Sequence, residues 1–211
     1  MLSNYHQLAA KREAQSIPPL PLNAKQTEAL TLLIQDPPPT EDAVLLLDLL
    51  KNRIPPGVDQ ASYVKATWLS SIAQETIKSP LVSPLEATKL LGTMIGGYNV
   101  SALIEILQSK NHHLANCAKE CLSHTLLLYD SVNDIFELAE KNEYAKALLE
   151  SWANADWFTS KKPLQQEITV TVFKVEGETN TDDLSPATHA TTRPDIPLHA
   201  LAMLETRDPQ A

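Results

Sequence analysis

The chain has few of the residues that mark several common functional sites. Glycine occurs only five times in 211 residues, which disfavours a glycine-rich loop that cradles phosphate. Lysine and arginine number 17 against 26 acidic residues, so the net charge is −9 and the broad basic surface of a nucleic-acid binder is missing. No apolar run approaches the roughly 18 residues that cross a bilayer.

Cysteine is also scarce, since only Cys117 and Cys121 occur, four residues apart in a helical pattern. A disulfide across one helical turn has poor geometry. The first residues do not resemble a secretory signal peptide. Together these features predict free thiols and a reducing, cytoplasmic location.

Two histidines, His113 and His124, flank these cysteines on roughly one side of the same predicted helix. All four residues are of types that bind zinc. Four ligands on one straight helix cannot surround an ion as a tetrahedron, however, and both cysteines continue an apolar stripe. Core or surface roles are therefore the preferred interpretation over a metal site, and the spacing is not an iron–sulfur signature.

Residues 1–160 have the pattern of a series of short helices that each carry one apolar face. Their predicted N-termini hold residues that commonly cap helices, namely Asn23, Thr40 with Glu41 and Asp42, Asp59, and Ser83 in the sequence Ser83-Pro84-Leu85-Glu86. We expect Gly96-Gly97 to end the helix that follows Ser83. In the third helix, Ala61, Val64, Trp68 and Ile72 fall on one stripe. Further helices are predicted at about 100–107, 114–125, 131–140 and 143–154.

Helices of this length are not stable alone and must pack through their apolar faces. Antiparallel stacking of such helices produces an α-solenoid of the HEAT type. An irregular helical bundle would give nearly the same pattern, because no exact internal repeat is present. We predict a mainly α protein whose residues 1–160 form a HEAT-like α-solenoid of short antiparallel helices.

The pattern changes near Thr159. Residues 168–175 alternate and are rich in β-branched side chains, which predicts one strand ending before Gly177. A long loop and a short helix at about 198–204 follow. Because one strand cannot form a stable unit, residues 161–211 are predicted to begin an α/β domain that this sequence does not complete.

Arg193 is the lone cation in the acidic segment that follows the predicted strand. It could pair with Asp182, Asp183 or Asp195 to hold the loop, or its planar guanidinium could bind a substrate carboxylate. Asp182, Asp183 and Ser185 could likewise support such a site or simply cap turns. Local chemistry leaves these alternatives open.

Four blocks of the sequence resemble the aconitase B family. They are Asn52-Arg53-Ile54-Pro55-Pro56-Gly57-Val58-Asp59, Leu90-Leu91-Gly92-Thr93-Met94 with Gly96-Gly97-Tyr98-Asn99, Leu122-Ser123-His124-Thr125-Leu126-Leu127, and the run from Val170 to Leu204. The resemblance implies a HEAT-like domain at 1–160, followed by the start of a swivel domain at 161–211.

The resemblance also implies a function. Aconitases of this kind interconvert citrate and isocitrate through cis-aconitate with a [4Fe–4S] cluster, and they also dehydrate 2-methylisocitrate. No position here matches the cluster cysteines or the catalytic serine, so we expect no catalytic residue, no bound cluster and no hydratase activity in these residues alone. Arg193, in Thr192-Arg193-Pro194-Asp195, resembles the arginine that binds a substrate carboxylate.

A rival hypothesis is that these residues act as a protein–protein interaction module without catalysis, since helical solenoids present extended surfaces. The resemblance implies iron-dependent homodimerisation through the helical domain and messenger-RNA binding by the cluster-free enzyme. The net charge argues against direct RNA binding by this part. Trp152, Trp157 and Phe158 are expected to form an interdomain seam or a partner surface.

Overall fold

The computed structural model describes residues 2–39 and 42–207, which divide into two compact units. The first unit runs from Pro21 to Lys162, and the second joins Leu2–Leu20 to the residues from Pro163 onward. The described residues are mainly helical and contain no strand.

The helices are short throughout the chain. In order they are α1 (Leu2–Glu13), α2 (Ala24–Gln35), α3 (Ala43–Asn52), α4 (Gln60–Ala73), α5 (Pro84–Leu91), α6 (Val100–Leu107), α7 (His112–Ser123), α8 (Ser131–Ala139), α9 (Glu143–Ala153), α10 (Asp156–Thr159), α11 (Thr181–Leu184) and α12 (Ile196–Ala200), with a 3₁₀-helix at Ala187–Thr192. Helix α1 belongs to the second unit, with α11, the 3₁₀-helix and α12.

The predicted helix caps are largely confirmed. Asn23 makes a reciprocal capping box with Gln26, in which both the side-chain and backbone bonds are 3.0 Å. Asp59 Oδ1 accepts from the N–H of Ala61 at 2.7 Å, and Ser83 Oγ accepts from the N–H of Glu86 at 3.2 Å. Asp42 caps α3, whereas Thr40 and Glu41 lie outside the described residues.

The predicted end of α5 at Gly96-Gly97 is wrong. The helix stops at Leu91, and Gly92 follows it where a Cβ would meet the side chain of Cys121 on α7. Gly96 instead lies against the backbone of Gly57, and the N–H of Ile95 donates to Pro56 at 2.8 Å. These glycines therefore permit close approach of two segments rather than ending a helix.

The strand predicted at 168–175 is also wrong for the described structure. These residues have no regular structure, and every side chain from 168 to 174 is exposed. A β-strand is stabilised by hydrogen bonds to a neighbouring strand, and none of the described residues provides one. The helix expected at about 198–204 begins and ends earlier, at Ile196–Ala200.

Helix α4 is buried far more than a single apolar stripe predicts. It packs against α2, α5 and α6. Ala61, Trp68 and Ile72 are buried as expected, but Val64 is only partly buried. The opposite faces are buried as well, through Ser62, Lys65, Ala66, Leu69 and Ala73.

Lys65 is the unusual member of this set, since it is only 2% exposed. It has no hydrogen-bond or ion-pair partner among the described residues. Burial disfavours the charged ammonium and lowers the pKa of Lys65 to about 8. The charged form therefore costs folding free energy at neutral pH.

The contact at Gly96 provides a test of close packing. We expect Gly96→Ala to destabilise the protein by roughly 1–3 kcal/mol, since overpacking has costs of this size. The added Cβ would lie 2.5 Å from the carbonyl oxygen of Gly57 and 2.8 Å from the nitrogen of Val58. Gly57→Ala is the matched control, because its Cβ would meet nothing within 4 Å. Urea denaturation followed by circular dichroism checks both variants, and equal stability of the two would contradict the packing argument.

Lys65→Met should stabilise the protein at pH 7 by about 1–3 kcal/mol. Since the folded-state pKa of about 8 lies below the ordinary lysine pKa of 10.5, the unfolded chain binds more protons between these values. The free energy of unfolding of the parent protein therefore rises with pH across this window, because the cost of burying the charged lysine declines. The measurement is urea denaturation of parent and variant at pH 7 and near pH 10, where the difference between them should shrink. A stability difference between parent and variant that is independent of pH would contradict the lowered pKa of Lys65.

Candidate functional site

The loop from Asn180 to Ser185 is organised by a capping box. Asn180 Oδ1 accepts from the N–H groups of Asp182 and Asp183 at 2.8 and 3.1 Å. In return, Asp183 Oδ2 accepts from the N–H of Asn180 at 3.0 Å. Short polar residues thus fold α11 locally, as expected for Asn and Asp at a helix start.

Arg207 joins this loop to the preceding backbone. Its Nη1 donates to Asp183 Oδ2 at 3.1 Å, and the guanidinium also donates to the carbonyls of Glu176 and Glu178. The backbone N–H of Asn180, and then Arg207, hold the pKa of the Asp183 carboxyl below its usual value. Asp183 is therefore an ionised structural anchor.

Asp195 is held by an arginine from the other end of the chain. Arg12, in the last turn of α1, donates from Nη1 and Nη2 to the two carboxylate oxygens at 2.5 and 2.9 Å. Asp195 also caps α12 by accepting from the N–H of Leu198 at 3.3 Å. The Arg12 hydrogen bonds lower the pKa of the Asp195 carboxyl, so the pair stays charged at neutral pH.

His199 bridges two further segments. Its Nε2 lies 2.8 Å from Ser185 Oγ, and its Nδ1 lies 2.8 Å from Thr192 Oγ1. Thr192 Oγ1 additionally donates to the carbonyl of His189 at 2.8 Å. Ser185 and Thr192 are thus tied together through one imidazole ring.

Arg193 lies between these fixed residues and is itself exposed. Its side chain makes no hydrogen bond or ion pair with any residue that the structure describes. Of the three acids considered from the sequence, Asp183 binds Arg207 and Asp195 binds Arg12. Asp182 is exposed on α11 and leaves its carboxylate in solvent. The pairing that would have held Arg193 in the loop is therefore absent from the described part of the chain.

Sequence reasoning missed three residues that build this arrangement, Arg12, His199 and Arg207. Arg12 is separated from Asp195 by 183 positions, so no local spacing could reveal the pair. Arg207 lies 24 positions from Asp183. Only His199, seven residues after Thr192, lies close enough for a local turn to suggest the contact.

The four zinc-compatible residues considered from the sequence line one open groove of about 530 Å³ in the first unit, with Leu85 and Lys89. The two thiols are free, and Cys121 Sγ donates to the carbonyl of Thr88 at 3.6 Å. Burial raises the pKa of Cys117 and raises that of Cys121 to about 12. Within residues 2–39 and 42–207, no three His, Cys, Asp or Glu side chains are arranged to hold a metal ion.

The aromatic residues near the end of the first unit form a smaller cluster than expected. Trp157 and Phe158 meet edge to face with ring centroids 5.7 Å apart, and Lys161 lies over both rings. Both rings are exposed.

Among the described residues, no helix is long and apolar enough to cross a membrane.

Two family profiles match the chain. The one described as "Aconitate B N-terminal domain" matches residues 4–158, and the one described as "Aconitate hydratase 2 N-terminus" matches residues 170–211. Among curated proteins, the chain is similar to "Aconitate hydratase B" of Synechocystis sp., with 55% identity over 210 residues, covering 100% of this chain and 24% of the relative.

Similar matches come from two further bacteria. The "Aconitate hydratase B" of Salmonella typhimurium is 56% identical and that of Escherichia coli is 54% identical, each over 206 residues, covering 97% of this chain and 24% of the relative. The chain thus spans about a quarter of the length of the curated relatives it matches.

Proposed function

We propose that this chain, which belongs to the aconitate hydratase B family, supplies a substrate-binding arginine to a citrate/isocitrate hydro-lyase acting through cis-aconitate. Its residues correspond to the N-terminal quarter of that enzyme in the relatives. The same site would accept 2-methylisocitrate. This function predicts that the enzyme acts in the tricarboxylic acid cycle and is located in the cytoplasm.

The observation that supports the proposal is the free guanidinium of Arg193 among neighbours that already have partners. An arginine fork suits a carboxylate because two parallel N–H···O bonds form at once. Asp183 and Asp195 do not compete for it, since both are neutralised by other arginines. A tricarboxylate therefore meets a cation for which neither Asp183 nor Asp195 competes.

We propose that three residues hold the loop that precedes this arginine in place rather than bind substrate, namely Asp182, Asp183 and Ser185. Asp183 fixes α11 through Asn180 and Arg207, and Ser185 contacts His199. Asp182 contributes its backbone N–H to the same capping box. Arg193 is the one cation of the set, and its charge is exposed and has no partner among the described residues.

The family implies a [4Fe–4S] cluster, which acts as a Lewis acid on the substrate when it is bound. The residues of this chain do not fit such a cluster. It has only two cysteines, Cys117 and Cys121, and burial raises the pKa of both thiols, whereas cluster ligands are thiolates. We assign the cluster and the serine base to other parts of the enzyme.

The proposed domain organisation is a HEAT-like solenoid at 1–160 followed by the start of a swivel domain at 161–211. The short helices of the first unit, each packed on neighbours close in the chain, support the first part. The separate match of residues 170–211 to the second family profile supports the second part, since the first profile ends at residue 158.

A chimera tests the catalytic proposal. This chain replaces the matching 206 residues of the Escherichia coli aconitate hydratase B, to which it is 54% identical. The chimera should hydrate cis-aconitate, whereas the 211-residue chain alone should not. Arg193→Ala should lower kcat/KM about 100-fold, because hydrogen bonds to charged groups contribute roughly 1.5–3 kcal/mol each. Arg193→Lys should recover part of the loss.

The matched control for this experiment is Lys174→Ala. Lys174 is an exposed cation of the same unit, and among the described residues it pairs only with the exposed Glu176. Its replacement should leave kcat/KM unchanged. Equal activity of the Arg193→Ala and Lys174→Ala chimeras would refute the proposed role of Arg193.

A second function, homodimerisation through the first unit, is supported by an apolar groove of about 380 Å³ beside α5 and α7. Ile95, Leu126 and Leu127 line it and are 63%, 78% and 48% exposed. Adjacent exposed apolar side chains of this kind are typical of protein interfaces. This surface suits another protein better than messenger RNA, since the net charge of −9 opposes binding to a polyanion.

Light scattering on a sizing column, with and without ferrous iron, tests this second function. We expect a dimer whose population depends on iron, and Leu126→Asp should convert it to a monomer because a charge would be buried at the contact. Val44→Asp, at an exposed apolar position of α3, is the control and should remain dimeric. A parent chain that is monomeric under both conditions would contradict the proposal.

A further inference from the structure

We infer that Arg12 and His199 are positioning residues, which together hold the turn at residues 192–195 in the shape that presents Arg193. This inference rests on the carboxylate-binding function proposed above. It assigns a role to a helix near the start of the chain and to a histidine that does not itself need to touch the substrate.

The backbone conformation of Arg193 needs support from its surroundings. Its φ of −52° and ψ of −36° lie in the right-handed helical region. The ring of a following proline makes that region less favourable for the preceding residue, and Pro194 follows here. The hydrogen bonds on either side therefore have to select this conformation.

Arg12 fixes the residue two positions after Arg193. Its fork contacts both carboxylate oxygens of Asp195, and the two side chains are only 12% and 21% exposed. Asp195 in turn caps α12 through Leu198 and accepts from the N–H of His199 at 2.9 Å. Its own N–H donates to the carbonyl of Thr192 at 2.9 Å, which closes the turn around Arg193.

His199 fixes the residue just before Arg193, and its proton position follows from the contacts. The hydroxyl of Thr192 has one hydrogen, which it donates to the carbonyl of His189. Thr192 Oγ1 must therefore accept from His199, so Nδ1 carries the hydrogen. In the neutral ring Nε2 then accepts from the hydroxyl of Ser185.

The consequence is that hydrogen bonds hold Thr192 and Asp195, on either side of Arg193-Pro194, while the Arg193 side chain has no partner among the described residues. Thr192 is tied through His199 to Ser185, and Asp195 is tied to Arg12. A side chain on a fixed turn loses less conformational freedom on binding than one on a mobile loop. Arg12 and His199 thus contribute to carboxylate binding without contacting the ligand.

Nitrogen-15 NMR of the 211-residue chain tests the proton assignment directly. We expect the hydrogen of His199 on Nδ1, whereas a free imidazole prefers it on Nε2. Thr192→Val should remove this preference because the acceptor is lost, and Thr192→Ser should retain it. Finding the hydrogen on Nε2 in the parent chain, or no change in Thr192→Val, would overturn the inference.

Kinetics of the chimera test the functional part. Thr192→Val and Arg12→Gln should each lower kcat/KM for cis-aconitate about tenfold, the size of one lost hydrogen bond, mainly by raising KM. Thr192→Ser should restore the parent value. Because these residues act through Arg193, neither substitution should cause a further loss in the Arg193→Ala background.

The double variants separate the two possible failures. No loss of activity in Arg193→Ala would overturn the proposed function. A loss in Arg193→Ala that is fully additive with the losses in Thr192→Val and Arg12→Gln would overturn the positioning roles alone, since it would mean that these residues act independently of Arg193.

Discussion

The first unit depends on the enclosure of α4. Helices of 8 to 14 residues are not stable in isolation, so each needs neighbours that cover its apolar surface. Helix α4 contacts α2, α5 and α6 and is buried around most of its circumference. It is the element against which its neighbours bury their own apolar faces.

The packing around α4 and α6 buries some polar groups without hydrogen-bond partners among the described residues, which costs folding free energy. Burial of Lys65 disfavours its charged form, and Trp68 Nε1 is buried without an acceptor among the described residues. Asn99, at the start of α6, donates to the carbonyls of Leu91 and Met94 at 2.8 and 3.2 Å, yet no described residue donates to its Oδ1. Unpaired buried polar atoms each cost free energy, so the surrounding apolar packing has to offset them.

Local signals in the sequence were enough to predict where helices begin, because a cap depends on residues only two or three positions apart. Asn23 and Asp59 are examples. The role of Gly96 is not accessible to such local signals, because it depends on Gly57, almost forty residues earlier, and not on the adjacent helix. The strand predicted at 168–175 is wrong for a related reason, since its side chains have strand character but no described neighbour pairs with its backbone.

The candidate site also depends on contacts between residues that are distant in the sequence. The charge of Arg193 and its surroundings in the sequence are enough to single it out as a candidate. They do not reveal whether its side chain is paired. That depended on Arg12 and Arg207, which take the two acids that would otherwise compete for it. The contacts that leave Arg193 free are long-range, so only the folded chain reveals them.

The second unit reaches order in a different way from the first. Among its described residues only a few apolar side chains are buried, namely Leu2, Tyr5, Ile17, Ala202 and Leu204. Its shape is set largely by two arginine–carboxylate pairs, one capping box and the His199 bridge. Hydrogen bonds are directional and fix angles that nonspecific apolar contact does not. A polar framework is therefore well suited to aiming one guanidinium, since it constrains the backbone on both sides of Arg193 without covering its charge.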